Sequence, residues 1–192
     1  MTRTATPLGE RLARVLDVPA WPAGEVSHGR AAVLVGLVEC PAPSLFLTRR
    51  AAGLSVYPGH LAFAGGRVEA DDTGPADTAL REAAEELGLE PACVVVAGAL
   101  PPVRSRSQRL DIVPVVGTLA EAPALTPGPA EVAEVLEVPL LELCAAKPYE
   151  LAWPPGDGSL RTIGYRRPGQ DIVGLTARIV EALCEALVEA DR

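Results

Sequence analysis

The chain has 192 residues, 48% of them hydrophobic and 22% charged, with a formal net charge of −8 at neutral pH. That length and apolar share predict one globular domain over residues 1–192 and exclude a disordered chain. The acidic balance argues against nucleic acid as a partner, so an anionic ligand would need local help from metal ions or a few placed arginines.

Residues 8–16 carry apolar positions at helical spacing and predict a short helix, followed by a Pro- and Gly-containing loop over 18–29. Residues 30–38 are β-forming and apolar on both faces, the mark of a central strand. Their apolar run is far short of a membrane span, and no apolar leader precedes it, which predicts a cytoplasmic protein with no membrane partner. Strands are also predicted over 44–49, 61–63, 93–100, 112–119 and 131–139, with a short helix over 140–146. Residues 149–153 and 160–165 read as a hairpin around the turn 154–158, and an amphipathic helix over 174–190 presents Ile179, Leu183 and Leu187 as its buried stripe. Cys40, Cys93, Cys144 and Cys184 are far apart and lack a CxxC spacing, which argues against zinc and predicts buried free thiols in a reducing compartment.

The most informative stretch is 65–89, GGRVEADDTGPADTALREAAEELGL. Pro75 suits a first helical turn, Gly74 or Thr73 suits the N-cap, and Gly88 suits the left-handed residue that ends the helix. At about 100° per residue, Ala76, Leu80, Ala83, Ala84 and Leu87 share one side. Glu82, Glu85 and Glu86 share the other. Like charges at this spacing repel by roughly 0.2–0.5 kcal/mol a pair, and a hard divalent cation would relieve them, since Mg²⁺ and Mn²⁺ prefer carboxylate oxygens. A solvated glutamate face is the alternative reading of the helix alone.

Arg81, Glu82, Ala83, Glu85, Glu86, Gly88 and Leu89 match the second half of the Nudix box, and the stretch resembles that signature of hydrolases that cleave nucleoside diphosphates linked to another group. The first half departs from it: Gly66 is in place, but the acidic residue is Asp72, and eight rather than seven residues separate it from Arg81. Asp with a one-residue insertion is similar to the coenzyme A pyrophosphatase branch. Upstream, Leu47, Thr48, Arg50, Gly59, Phe63, Gly65 and Gly66 match that branch's motif in register, whereas Ala51, Ser55 and Ala64 replace its Ser, Arg and Pro. The lost arginine at Ser55 removes a phosphate or carboxylate clamp.

The resemblance implies an α+β Nudix fold, an α/β/α sandwich with a mixed central sheet. It implies Mg²⁺ or Mn²⁺ held by Glu82, Glu85, Glu86 and the backbone of Gly66, with Arg81 orienting the glutamates. Bound divalent ions can bridge phosphate oxygens and lower the pKa of a water. Glu82, another box glutamate or Glu131 could be the base. Arg50, His60, Arg104 and Arg106 are candidate contacts to a nucleotide-type substrate, and Arg109 completes a basic cluster. A homodimer is compatible with the resemblance, and no feature of the chain fixes an interface. The expected reaction cleaves the pyrophosphate of coenzyme A or a derivative to 3′,5′-ADP and 4′-phosphopantetheine. ADP-ribose, a dinucleoside polyphosphate or an oxidised nucleotide is the alternative substrate. A binding module without turnover is the alternative of another class, and the intact Arg81, Glu82, Glu85 and Glu86 argue against it.

Overall fold

The computed structural model describes residues 6–21, 29–105, 109–153 and 160–192. In chain order these form α1 (Pro7–Leu12), β1 (Gly29–Cys40), β2 (Ser44–Arg50), β3 (Leu61–Ala62), β4 (Gly65–Arg67), α2 (Pro75–Leu87), β5 (Val95–Ala99), β6 (Val103–Ser105), β7 (Leu110–Glu121), β8 (Val132–Pro139), α3 (Leu140–Ala145), β9 (Tyr149–Trp153), β10 (Leu160–Tyr165), β11 (Ile172–Val173) and α4 (Gly174–Ala190).

β1 is the centre of a mixed sheet of eight strands. It runs parallel to β7, from Gly29 opposite Leu110 to Cys40 opposite Glu121, and antiparallel to β2 and β4. β3 and β8 extend the sheet beyond β2, while β5 and β6 pair with β7. Alternation along β1 sorts its side chains between two layers. Ala32, Leu34 and Val38 join the cluster that holds Ala79, Ala83 and Leu87 of α2. Val35 and Leu37 join the cluster that holds Ile179, Val180 and Leu183 of α4. The sheet is therefore covered by α2 on one face and by α3 and α4 on the other, the sandwich that the sequence predicts. A small second sheet, β9–β10–β11, leads directly into α4.

Most predicted elements are present within a residue or two of their expected ends. The first helix stops at Leu12 rather than residue 16, and its first turn is capped by Thr6, whose Oγ1 accepts from the Gly9 N–H at 3.0 Å. The strand expected from residue 93 starts at Val95 because Pro91–Cys93 forms a single 3₁₀ turn. The turn 154–158, His28 in the early loop and the candidate contact Arg106 lie outside the described residues.

The cysteine expectation is overturned. Cys144 of α3 and Cys184 of α4 form a disulfide, with Cα atoms 5.3 Å apart, Cys40 is exposed, and Cys93 is half-buried. The physical reason is tertiary: both helices lie on one face of the sheet, which brings together residues 40 apart in sequence. Among the described residues no helix is long and apolar enough to cross a membrane.

Candidate active site

α2 begins and ends where local chemistry dictates. Gly74 is the extended N-cap, Pro75 opens the first turn, and Gly88 takes a left-handed φ of 65° with its N–H turned back to the last turn. Ala79, Ala83 and Leu87 are fully buried and fix the rotation of the helix. Burying Leu87 alone contributes roughly 1.5–3 kcal/mol. That rotation aims Glu82 and Glu86 toward β4 and leaves Glu85 outside, with its side chain 59% exposed.

β4 meets the glutamates through backbone. The Gly65 N–H donates to Glu86 Oε2 at 3.2 Å. Gly65 has a φ of 155°, and a Cβ there would fall 2.6 Å from Val33 Cα. A Cβ at Gly66 would fall 2.5 Å from Glu82 Cδ, so only glycine lets the strand lie directly against that carboxylate.

Glu131 arrives from another direction. The Thr126 and Gly128 N–H groups donate to the Leu87 and Glu86 carbonyls at 2.7 and 2.8 Å, docking the loop before β8 onto the end of α2. These bonds satisfy carbonyls that a helix end leaves unpaired. The Ala51 N–H then donates to the Glu131 carbonyl at 2.8 Å, tying this loop to the end of β2, where Arg50 sits.

The electrostatics follow from this convergence. Burial pushes Glu86 up to about 8, with the negative charges of Glu131 and Glu82 adding to it, while the Gly65 N–H and Arg50 pull the other way. Burial also raises Glu82, against the opposing pull of Arg81. Burial and then the nearby Arg50 charge lower His60. Two half-buried carboxyl groups whose pKa values are raised, with the Glu131 charge adding to both shifts, form a hard-oxygen donor set whose ionised forms a divalent cation would favour. Among the described residues no three acidic, imidazole or thiol groups converge tightly enough to be a finished ligand set. The fit therefore rests on the charge and chemistry of the donors.

Arg81 holds the acidic face together. It donates to Asp72 through Nε and Nη2 at 3.1 and 3.0 Å, to Glu82 at 3.2 Å, to Glu85 at 3.3 Å and to the Arg67 carbonyl at 2.9 Å. Asp72 also accepts from Thr78 Oγ1 and from the Glu69 N–H, both at 2.8 Å. These contacts, led by the Arg81 hydrogen bonds, hold Asp72 down at about 2.

Gly65 and Gly66 also line a cleft of about 680 Å³. Arg50, His60 and Arg104 line it as the sequence suggests, and Arg50 Nε is bonded to the Val56 carbonyl at 3.1 Å. Arg104 is paired with Asp111 at 2.8 Å, and Arg109 has a left-handed φ of 53°. Ser55 is exposed and lies outside the lining. Sequence reasoning missed Tyr57, Arg161 and Arg178, which also line the cleft. The available signal was Arg178 at the start of the last helix, one position before the buried Ile179, where a side chain sits at the edge of a core-facing stripe.

Comparison with known proteins gives the class, a Nudix pyrophosphohydrolase. A model of the NUDIX domain matches residues 28–157, and the chain belongs to that family. It is 44% identical over 168 residues to a protein of Pectobacterium atrosepticum described as an uncharacterized Nudix hydrolase, NudL, covering 85% of this chain and 84% of that one. A NudL protein of Photorhabdus laumondii is 37% identical over 172 residues, covering 88% and 91%. Among solved structures, a Nudix hydrolase from M. smegmatis, RenU, superposes with a TM-score of 0.51 at 27% identity, covering 60% of this chain and 72% of that one. A MutT protein from Methanosarcina mazei, at 15% identity and a TM-score of 0.52, covers 88% and 97% and shares the fold.

Proposed function

We propose that this Nudix hydrolase cleaves the pyrophosphate linkage of coenzyme A or a derivative, giving 3′,5′-ADP and 4′-phosphopantetheine. The carrying observation is that Glu82 and Glu86 lie against the glycines of β4, which border an arginine-lined cleft. The coenzyme A reading is supported by the upstream positions Leu47, Thr48, Arg50, Gly59, Phe63, Gly65 and Gly66, which resemble that branch, and of these Arg50, Phe63, Gly65 and Gly66 line the same cleft. The replaced arginine at Ser55 favours a second reading, in which the chemistry is the same and the substrate is another nucleoside diphosphate derivative.

In this mechanism Glu82 and Glu86, with the Gly66 backbone, would hold Mg²⁺ or Mn²⁺. When bound, such an ion neutralises phosphate charge and acidifies water. Glu85 lies further out and completes the acidic face through Arg81. Arg81 is a positioning residue: its bonds to Asp72 and the Arg67 carbonyl fix the guanidinium that in turn orients Glu82. Glu131 is the base. It is exposed, so water reaches it, and its charge adds to the upward shifts of Glu82 and Glu86. It takes the proton of the attacking water, whose oxygen bonds to one phosphorus. The bridging oxygen leaves with the other phosphate. Arg50 and Arg104 hold phosphate oxygens, and His60 contacts the substrate beside the glycines. Residues 1–192 act as one domain, consistent with α4 burying its stripe in a core that β1 and β2 supply.

The test is phosphate release, coupled to alkaline phosphatase where needed, from coenzyme A, ADP-ribose, NADH, diadenosine polyphosphates and nucleoside triphosphates, with Mg²⁺ and with Mn²⁺. Preference for coenzyme A is expected. Preference for another member would establish the second reading, and no turnover of any would refute both.

A further inference from the structure

The cleft is charged unlike the rest of the chain. The protein carries 25 acidic residues against 17 lysines and arginines, yet among the described residues lining the cleft there are four arginines and His60 and no carboxylate. Three of those arginines already have a partner within the protein through one donor each. Arg50 is tied to its own loop through the Val56 carbonyl, Arg104 is paired with Asp111, and Arg161 is paired with Glu150. Arg178 differs: its side chain is exposed and makes no hydrogen bond or ion pair among the described residues.

The position of Arg178 is nevertheless fixed. It stands in the second turn of α4, next to the fully packed Ala177 and Ile179. Thr176 Oγ1 donates to the Leu61 carbonyl at 3.0 Å and fastens the start of the helix to β3. The disulfide from Cys184 fastens the same helix to α3 further along. The helix backbone sets where the guanidinium can reach, and its planar fork suits a phosphate monoester. Because α2 and α4 cover opposite faces of the sheet, Arg178 and the acidic glutamates approach the cleft from different sides. That arrangement leaves room for Arg178 to hold a group other than the linkage being cleaved.

We infer that Arg178 is a specificity-determining residue that binds a phosphate monoester on the substrate away from the scissile pyrophosphate. This rests on the proposed function, in which that group is the 3′-phosphate of the nucleoside half. A charge-assisted arginine–phosphate contact of this kind is expected to contribute about tenfold to a hundredfold in affinity.

The experiment is calorimetric binding of adenosine 3′,5′-bisphosphate and of 5′-AMP to the full chain, for wild type, Arg178→Gln and Arg178→Lys. Matched thermal midpoints would confirm that the variants are folded. Wild type should prefer the bisphosphate by about tenfold or more. In Arg178→Gln that preference should collapse while AMP affinity holds, and Arg178→Lys should keep part of it. No preference in wild type, or a preference that survives Arg178→Gln, overturns the inference. Equal weakening of both ligands overturns it as well. Coenzyme A hydrolysis, measured alongside, separates the two claims. An enzyme that does not turn over coenzyme A but loses bisphosphate preference in Arg178→Gln refutes the proposed substrate and keeps the role of Arg178. In an enzyme that does turn it over, Arg178→Gln should raise KM for coenzyme A about tenfold and leave KM for 3′-dephospho-coenzyme A and both kcat values unchanged.

Discussion

Asp72→Asn should destabilise the protein and slow catalysis through one network. The native carboxylate accepts a forked pair from Arg81 at 3.1 and 3.0 Å plus single bonds from Thr78 and Glu69, and its side chain is only 6% exposed. Its pKa falls from 3.8 to about 2. A full shift of that size would be about 2.4 kcal/mol, and solvent at the edge of the pair reduces it to about 1–2 kcal/mol at neutral pH. The folded pKa is below the unfolded one, so this stability is present above about pH 4 and is lost as pH falls toward 2. Urea unfolding at pH 6 should show the variant less stable by about 1–2 kcal/mol, and at pH 3 the gap should narrow by roughly half. The thermal midpoint at pH 6 should drop by about 2–8 °C. With Arg81 released from its anchor, kcat should fall about 10- to 100-fold, as for other positioning residues around a metal site. Equal stability of variant and wild type at pH 6, together with an unchanged kcat, would refute the claim that Asp72 anchors Arg81.

Other variants probe the rest of the site. Glu86→Gln removes a carboxyl whose pKa is pushed up to about 8, so the variant no longer has to take up a proton to fold at neutral pH and the metal-free protein should melt higher than wild type, while Mg²⁺ should raise the midpoint of wild type and not of the variant. A lower metal-free midpoint in the variant would contradict the burial argument. Glu131→Gln should lower kcat about 10²- to 10⁴-fold and leave the Mg²⁺-induced stabilisation intact, whereas loss of both would make Glu131 a ligand instead of the base. Gly66→Ala pushes a methyl group into the Glu82 carboxylate, so activity should fall at least tenfold in a folded protein, as judged by circular dichroism and steady-state kinetics. Cys184→Ser opens a cross-link spanning 40 residues, which should cost about 2–4 kcal/mol in urea unfolding, and a reductant should have the same effect on wild type but none on the variant.

The legible parts of the chain were those governed by local chemistry. Pro75 and Gly88 marked the ends of α2 because a missing N–H and a left-handed φ are properties of single residues. The two-sided apolar run at 30–38 marked the central strand because burial on both faces leaves no polar alternation. The glutamates and glycines of the site were legible as a spaced pattern. What the chain order concealed was adjacency across the fold. Nothing near Cys144 points to Cys184, and nothing near Glu131 announces that Thr126 and Gly128 will cap the carbonyls of α2. Nothing near Arg178 in the chain singles it out, because its relation to the cleft depends on where the start of α4 docks against β3.

The departure of the first half of the signature has a mechanical explanation in Arg81. Side chains on a helix lean toward its N-terminus, so an arginine in the second turn reaches back past the first. Arg81 does this, touching both Asp72 and the carbonyl of Arg67, which lie before the helix begins. The additional residue between the acidic position and Arg81 falls before Gly74 or within the turn that leads to it, where chain length changes at little cost. The Asp72 side chain meets the guanidinium there with both oxygens, and the Glu69 N–H and Thr78 hydroxyl hold it in place. A different acid at a different spacing thus reaches the same arginine, and the arginine still reaches Glu82 and Glu85. The functional constraint is on where the guanidinium is held, and the residue count ahead of the helix is free to vary around it.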